Sequence, residues 1–211
     1  MQWTLVIPVK SLARAKSRLA DAAGDGLRPG LALAFAQDTV ARRWPARRCG
    51  MWPSSRTTRW PGRELAALGA RVVADEPGDG LNAALAHGAA AVRARRPACP
   101  VAALNADLPA LRPAELARVL DAAAEFPRAF LPDAAAIGTT LLAAAPGQEL
   151  SPAFGTDSRA RHRSAGAAEL RLAEVDSVRQ DVDTADDLRA ALALGVGPRT
   201  AAAARLLIPG Q

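Results

Sequence analysis

The 211-residue chain has no tyrosine and only 4% aromatic residues. Half of its residues are apolar, so the core has to be built mostly from Ala, Leu and Val. Two cysteines, Cys49 and Cys99, are too few for a disulfide framework or a thiolate metal cage, and neither has a partner at catalytic spacing. No apolar run approaches the roughly 20 residues of a membrane span. The first residues are too short an alternation for a secretory signal, so a cytoplasmic protein with no membrane partner is expected. GxGxxG and GxxxxGK followed by Ser or Thr are both missing, which argues against a dinucleotide enzyme and a P-loop ATPase. No Ser-His-Asp logic emerges either.

Lysine is scarce as well. Of the 27 Lys and Arg residues only Lys10 and Lys16 are lysines, and both fall in one stretch, TLVIPVKSLARAKSRL at 4–19. Retaining a compact ammonium here, in a chain that otherwise uses Arg, points to a need for a point charge rather than a planar fork. The stretch reads as a buried strand running into a basic loop, which suits a triphosphate held at the carboxyl edge of a sheet. A solvated basic turn is the bland alternative.

The net charge of +6 invites a nucleic-acid hypothesis, but its distribution argues against one. Residues 43–62, RWPARRCGMWPSSRTTRWPG, hold five Arg, no acid and three of the four Trp. No amphipathic period and no strand is visible there. Back-translation of 42–62 with GC-rich codons and a two-base shift yields ALAGPAVRYVAVVTDDPLAG: a helix end, a strand and an acidic turn. That replacement would bring the net charge to about zero. The segment is therefore read as the product of two compensating frameshifts, with a basic Arg/Trp loop binding nucleic acid as the alternative.

Elsewhere strands and helices alternate. Helices are predicted at 31–40 after a Pro29-Gly30 breaker, at 63–68, 81–95, 113–125 and 158–170, and at 184–194 behind a Thr-x-x-Asp cap. Strands are predicted at 5–7, 71–74, 101–104, 129–131, 139–144 and 172–175. This pattern gives a single-domain, Rossmann-like α/β fold: a mostly parallel mixed sheet with helices on both faces. The domain is expected over 1–197, with 198–211 as a loosely held tail.

Asp107, in NADLPAL, lies just past the end of a central strand, where a carboxylate beside phosphates is a hard oxygen ligand for Mg²⁺. Asp181 and Asp183, in DVDT, would share one side of a strand and add a second carboxylate. Gly155-Thr156-Asp157-Ser158 opens a helix rich in Arg, an anion site by its amides and charge. Gly138-Thr139-Thr140 offers hydroxyls of the same type. His162 is read as structural or phosphate-contacting, and His87 as a helix-face residue. A basic loop, two late carboxylates and an anion site together are equipment for nucleotidyl transfer.

The strings IPVKSLARAKSRLA, DEPGDGLNAAL, NADLPAL, IGTTLL, FGTDSRARHRSAGA and DVDTADDL occur in this order. They resemble the 2-phospho-L-lactate/phosphoenolpyruvate guanylyltransferases of deazaflavin coenzyme F-420 biosynthesis, which have a MobA-like, glycosyltransferase-A-like fold. The resemblance covers nearly the whole chain except 43–62, where the family has a strand and an acidic turn. It implies GTP and a three-carbon acceptor, phosphoenolpyruvate or 2-phospho-L-lactate, with pyrophosphate released. It implies phosphate contacts from Lys10, Lys16 and Arg18, with Gly80 and Asn82 near the nucleoside. By the same resemblance Asp107 and Asp183 hold Mg²⁺, Lys10, Lys16 and Asp107 carry catalysis, and Thr140, Gly155 and Ser158 form the acceptor pocket. A sugar-phosphate or molybdenum-cofactor acceptor on the same fold is the alternative enzyme.

Resequencing the gene across codons 42–62 tests the frame hypothesis. Two compensating single-base errors are expected there, and a clean in-frame read would remove the idea.

Overall fold

A computed structural model describes residues 2–10, 20–41, 49–54, 59–73 and 79–206. Seven strands are described: β1 Thr4–Lys10, β2 Cys49–Ser54, β3 Arg71–Val72, β4 Val101–Leu104, β5 Arg128–Pro132, β6 Thr139–Ala144 and β7 Ala168–Glu169. They form one sheet in the order β3-β2-β1-β4-β6-β5-β7. The half made of β3, β2, β1 and β4 is parallel, β6 runs antiparallel to both β4 and β5, and β7 is parallel to β5.

The helices are α1 Ala20–Ala41, α2 Arg59–Ala67, α3 Leu81–Arg95, α4 Pro113–Ala123, α5 Ser158–Ser164, α6 Asp176–Arg179, α7 Ala185–Leu194 and α8 Pro198–Arg205. The period-2 rule divides the strand side chains between two cores. Leu5, Ile7, Ala102, Leu104, Leu141 and Ala143 pack with Val40, Leu65, Leu116 and Val178 from α1, α2, α4 and α6. Val6, Val101, Ala103, Phe130, Leu142 and Ala144 pack on the other face with Leu85 and Ala89 of α3. Both faces are thus buried, which is why these strands are apolar runs rather than alternations.

Several expectations are corrected. The segment read as strandless carries β2, paired with β1 over six positions from Leu5–Cys49 to Lys10–Ser54. Among the described residues β3 borders only Gly50 and Met51. Helix α1 does not begin after Pro29-Gly30 but runs through it from Ala20. Its buried second half, with Leu31, Phe35 and Val40, supplies the packing that outweighs local propensity. The helix expected over 158–170 stops at Ser164, and β7 follows it; no strand forms at 172–175.

The tail is the largest difference, because 198–205 form α8 and pack on α1. Its anchor is Asp38, a carboxylate only 1% exposed on α1. Asp38 accepts the backbone N–H of Arg199 at 3.3 Å and of Thr200 at 2.7 Å. A residue 162 positions away thus serves as the cap that α8 lacks locally, with its negative charge at the positive end of the helix. Gly197 is required at this contact, since a Cβ there would lie 2.3 Å from Asp38 Cγ.

Asp38→Ala is expected to destabilise the protein by about 1–3 kcal/mol, and Gly197→Ala to do so through the same contact. Urea denaturation of both variants checks this; wild-type midpoints would remove the anchoring role of Asp38.

Candidate active site

At the carboxyl edge of the parallel strands lie two of the residues singled out in the sequence, Lys10 at the end of β1 and Asp107 after β4. Lys16 and Arg18 lie outside the described residues, as do 75–78 of the DEPGDG loop. Past β4, the N–H of Asn105 donates to the carbonyl of Thr140 at 2.9 Å. That bond extends the β4–β6 ladder by one rung and brings the Asp107 turn beside the start of β6.

Asp107 is set from three sides. The fully buried Thr39 of α1 donates its hydroxyl to the carbonyl of Phe35 at 2.8 Å or of Ala106 at 3.1 Å. The same hydroxyl accepts the N–H of Leu108 at 3.1 Å. Both neighbours of Asp107 are therefore tied to one side chain. The Asp107 carbonyl in turn accepts the N–H of Val182 at 3.1 Å, so Asp181 and Asp183 flank the residue bonded to it. Residues 181–183 are not a strand as expected. Val182 is buried, Asp181 is half-buried with a long 3.4 Å contact from Asn105 Nδ2, and Asp183 is exposed. The capping box on α7 is made by Thr184 and Asp187, which puts Asp183 just outside it. Among the described residues no three His, Cys, Asp or Glu side chains come together as a metal cage.

The residues expected to form the acceptor pocket lie on β6 and around the start of α5. Thr140 is fully buried, and its hydroxyl has no hydrogen-bond partner among the described residues. A buried hydroxyl left unpaired is costly in a finished core, which makes it a candidate for contact with a ligand. Ser158 is buried at the start of α5, and its N–H donates to the Gly155 carbonyl at 3.1 Å. Gly155 has φ +114°, open to glycine alone, and a Cβ would meet Arg161 Nη2 at 3.0 Å. Arg159 makes a bidentate bond to Glu169 of β7 through Nε and Nη2, and Arg163 binds the same carboxylate. The Arg159 hydrogen bond, with Arg163 behind it, holds Glu169 down at about 2. Two of the three Arg side chains of the string SRARHR are thus spent on structure.

His162 is buried between Phe130 and Phe154 and has both nitrogens occupied. Nε2 accepts the N–H of Ala153 at 2.9 Å, which leaves the ring proton on Nδ1, facing Thr139 Oγ1 at 3.0 Å. Burial first, then the charges of Arg161 and Arg128, lower its pKa from 6.5 to about 4. His162 is a neutral bridge between β6 and the 150–155 segment, the structural alternative of its two expected roles.

On the nucleotide side Gly80 opens α3 with φ 93° and no side-chain cap. An uncapped helix start offers its first amides to an anion. Asn82, two residues on, does something the sequence did not indicate. Its Oδ1 accepts the N–H of Phe154 at 2.8 Å and its Nδ2 donates to the Phe154 carbonyl at 3.1 Å.

Comparison with known proteins shows the family. The family described as guanylyl transferase CofC like matches residues 3–206. The chain belongs to this guanylyl transferase family. A phosphoenolpyruvate guanylyltransferase of Streptomyces coelicolor is 77% identical, covering 100% of both chains. Another of that name, from Thermomonospora curvata, is 59% identical over 97% of this chain and 89% of its own. A nucleotidyl transferase from Methanothermobacter thermautotrophicus shares the fold with TM-score 0.60 at 16% identity, over 92% of this chain and 97% of that one. Rv0371c of Mycobacterium tuberculosis, in complex with manganese, does so with TM-score 0.54 at 21% identity, over 92% and 98%. The guanylyltransferase expected from the sequence motifs, and its fold, are borne out. Thr39 and the partner of Asn82 were missed, since neither has a local signature.

A pH dependence follows from His162. The unfolded chain takes up the proton near 6.5 and the folded chain only near 4, so stability falls as pH drops through this window. Urea midpoints of wild type and His162→Gln between pH 4 and 7 check it. The variant is expected to lose that part of the slope, and an unchanged slope would refute the neutral bridge.

Proposed function

We propose that the protein transfers guanylate from GTP to phosphoenolpyruvate and releases pyrophosphate, a step of deazaflavin coenzyme F-420 biosynthesis in the cytoplasm. The observation that carries this reading is the 77% identity, end to end, with the S. coelicolor phosphoenolpyruvate guanylyltransferase. Among the described residues no helix is long and apolar enough to cross a membrane. The basic segment needs no nucleic acid in this reading.

The reaction is an in-line displacement. A phosphate oxygen of the acceptor attacks the α-phosphorus of GTP, the bond from the α-phosphorus to the α,β-bridging oxygen breaks, and pyrophosphate leaves. Lys10, Lys16 and Arg18, with Gly80 and the uncapped first turn of α3, hold the triphosphate and offset the charge on the leaving group. Thr140, Gly155 and Ser158 receive the acceptor's carboxylate and phosphate, the buried Thr140 hydroxyl gaining a partner as they bind. Asp107 and Asp183, of which the first accepts at its carbonyl the N–H of Val182 next to the second, suit a hard cation such as Mg²⁺. Two carboxylates leave the remaining coordination to water and substrate phosphate, the usual way Mg²⁺ is held. Such a cation would neutralise developing charge on the phosphates. Lys10, Lys16 and Asp107 are the catalytic residues in this scheme.

Pyrophosphate release by the purified protein, with Mg²⁺ and GTP, tests the reading against phosphoenolpyruvate, 2-phospho-L-lactate and 3-phospho-D-glycerate in parallel. Release with phosphoenolpyruvate is expected. Release with 2-phospho-L-lactate alone would transfer the assignment to that acid, and release with none would overturn it. Asp107→Asn and Asp183→Asn should each lower kcat by about 100-fold or more with the fold intact.

A further inference from the structure

The acceptor pocket and the nucleotide side are joined by a continuous chain of hydrogen bonds, and no substrate is needed to complete it. It starts at Asn82 in the first turn of α3. The Asn82 amide pairs with both the N–H and the carbonyl of Phe154, at 2.8 and 3.1 Å, as a neighbouring strand would. Arg161 Nη2 adds a second donor to the same carbonyl at 3.1 Å. One residue earlier, Ala153 N–H is held by His162 Nε2, and His162 Nδ1 meets Thr139 Oγ1. The Phe154 ring packs edge-on against the imidazole, with centroids 5.0 Å apart.

Each acceptor residue lies next to a member of this chain. Thr140 follows Thr139, Gly155 follows Phe154, and Ser158 is one helical turn before His162. Gly155 carries no Cβ and sits at φ +114°, so its backbone direction is set by what holds Phe154. A displacement of about 1 Å at a residue that orients a reacting group is enough to cost catalysis heavily. Asn82 is also committed: the oxygen and one amide hydrogen are already in use, on a half-buried side chain. That is a poor starting point for reading a nucleoside.

We propose that Asn82 is a positioning residue for the acceptor pocket, acting through the Phe154 backbone, and not a contact of the guanine nucleotide. It fixes Gly155 from the side of the molecule where α3 faces the triphosphate, so that both substrates are held by one rigid unit. The proposal rests on the acceptor pocket assigned above.

The test is a split of kinetic constants in Asn82→Ala and Asn82→Asp. The Asp variant keeps the volume and the acceptor for Phe154 N–H but sets an oxygen against the Phe154 carbonyl, and the Ala variant removes both contacts without adding charge. Both should raise KM for phosphoenolpyruvate by about tenfold or more, with KM for GTP within about twofold of wild type. A rise confined to the GTP constant, or no change in either, overturns the proposal. Hydrogen exchange of the peptide spanning 150–156 is measured alongside, without substrates. Faster exchange in Asn82→Ala is expected, and wild-type protection would overturn the clamp whatever the assay shows. If the wild-type enzyme releases no pyrophosphate with any acceptor, the functional reading fails, and the exchange data alone then judge the clamp.

Discussion

One buried hydroxyl governs where the Asp107 turn lies. Thr39 sits on α1 with no exposure, and its oxygen is within hydrogen-bond distance of Phe35, Ala106 and Leu108. Without it the carbonyl of Ala106 and the N–H of Leu108 would lose a partner in a place water reaches poorly. The turn after β4 therefore closes against α1 in one way, and Asp107 is carried with it. Since the Asp107 carbonyl receives Val182, the position of the DVDT segment depends on the same contact. Helix packing, an ordinary feature of an α/β core, becomes the source of the carboxylate geometry.

Strand direction then divides the candidate residues. The parallel half, β3-β2-β1-β4, ends its strands on the side where β1 closes at Lys10. Beyond β4 the direction reverses, and β6 enters from that edge with Thr139 and Thr140 as its first residues. The start of β6 offers side chains, and the uncapped start of α3 offers amides. That division suits a small anionic acid on one side and a triphosphate on the other.

Much of this was legible from the residues. The boundaries of α3, β4 and β6 follow from apolar period and turn chemistry, and Asp107 follows the end of β4. What escaped was set at long range. The Pro29-Gly30 pair marks a break only if the helix has to stand alone, and Leu31, Phe35 and Val40 see that it does not. Residues 181–183 alternate like a strand, but a single bond to Asp107 fixes them as a loop. Asn82 sits in a motif that invites a nucleoside, whereas its partner lies 72 residues away. His162 among Arg residues suggests a phosphate contact until both ring nitrogens are found occupied.

The anchoring of α8 by Asp38 has a consequence for the order of assembly on the ribosome. Helix α1 is made early, but the amides that satisfy its buried carboxylate come 162 residues later. A nascent chain released only as far as α7 would hold a charged group aimed at a space nothing yet fills, and burying that charge unpaired is unfavourable. The packing of α8 on α1 is therefore among the latest contacts that α1 can make as the chain is synthesised.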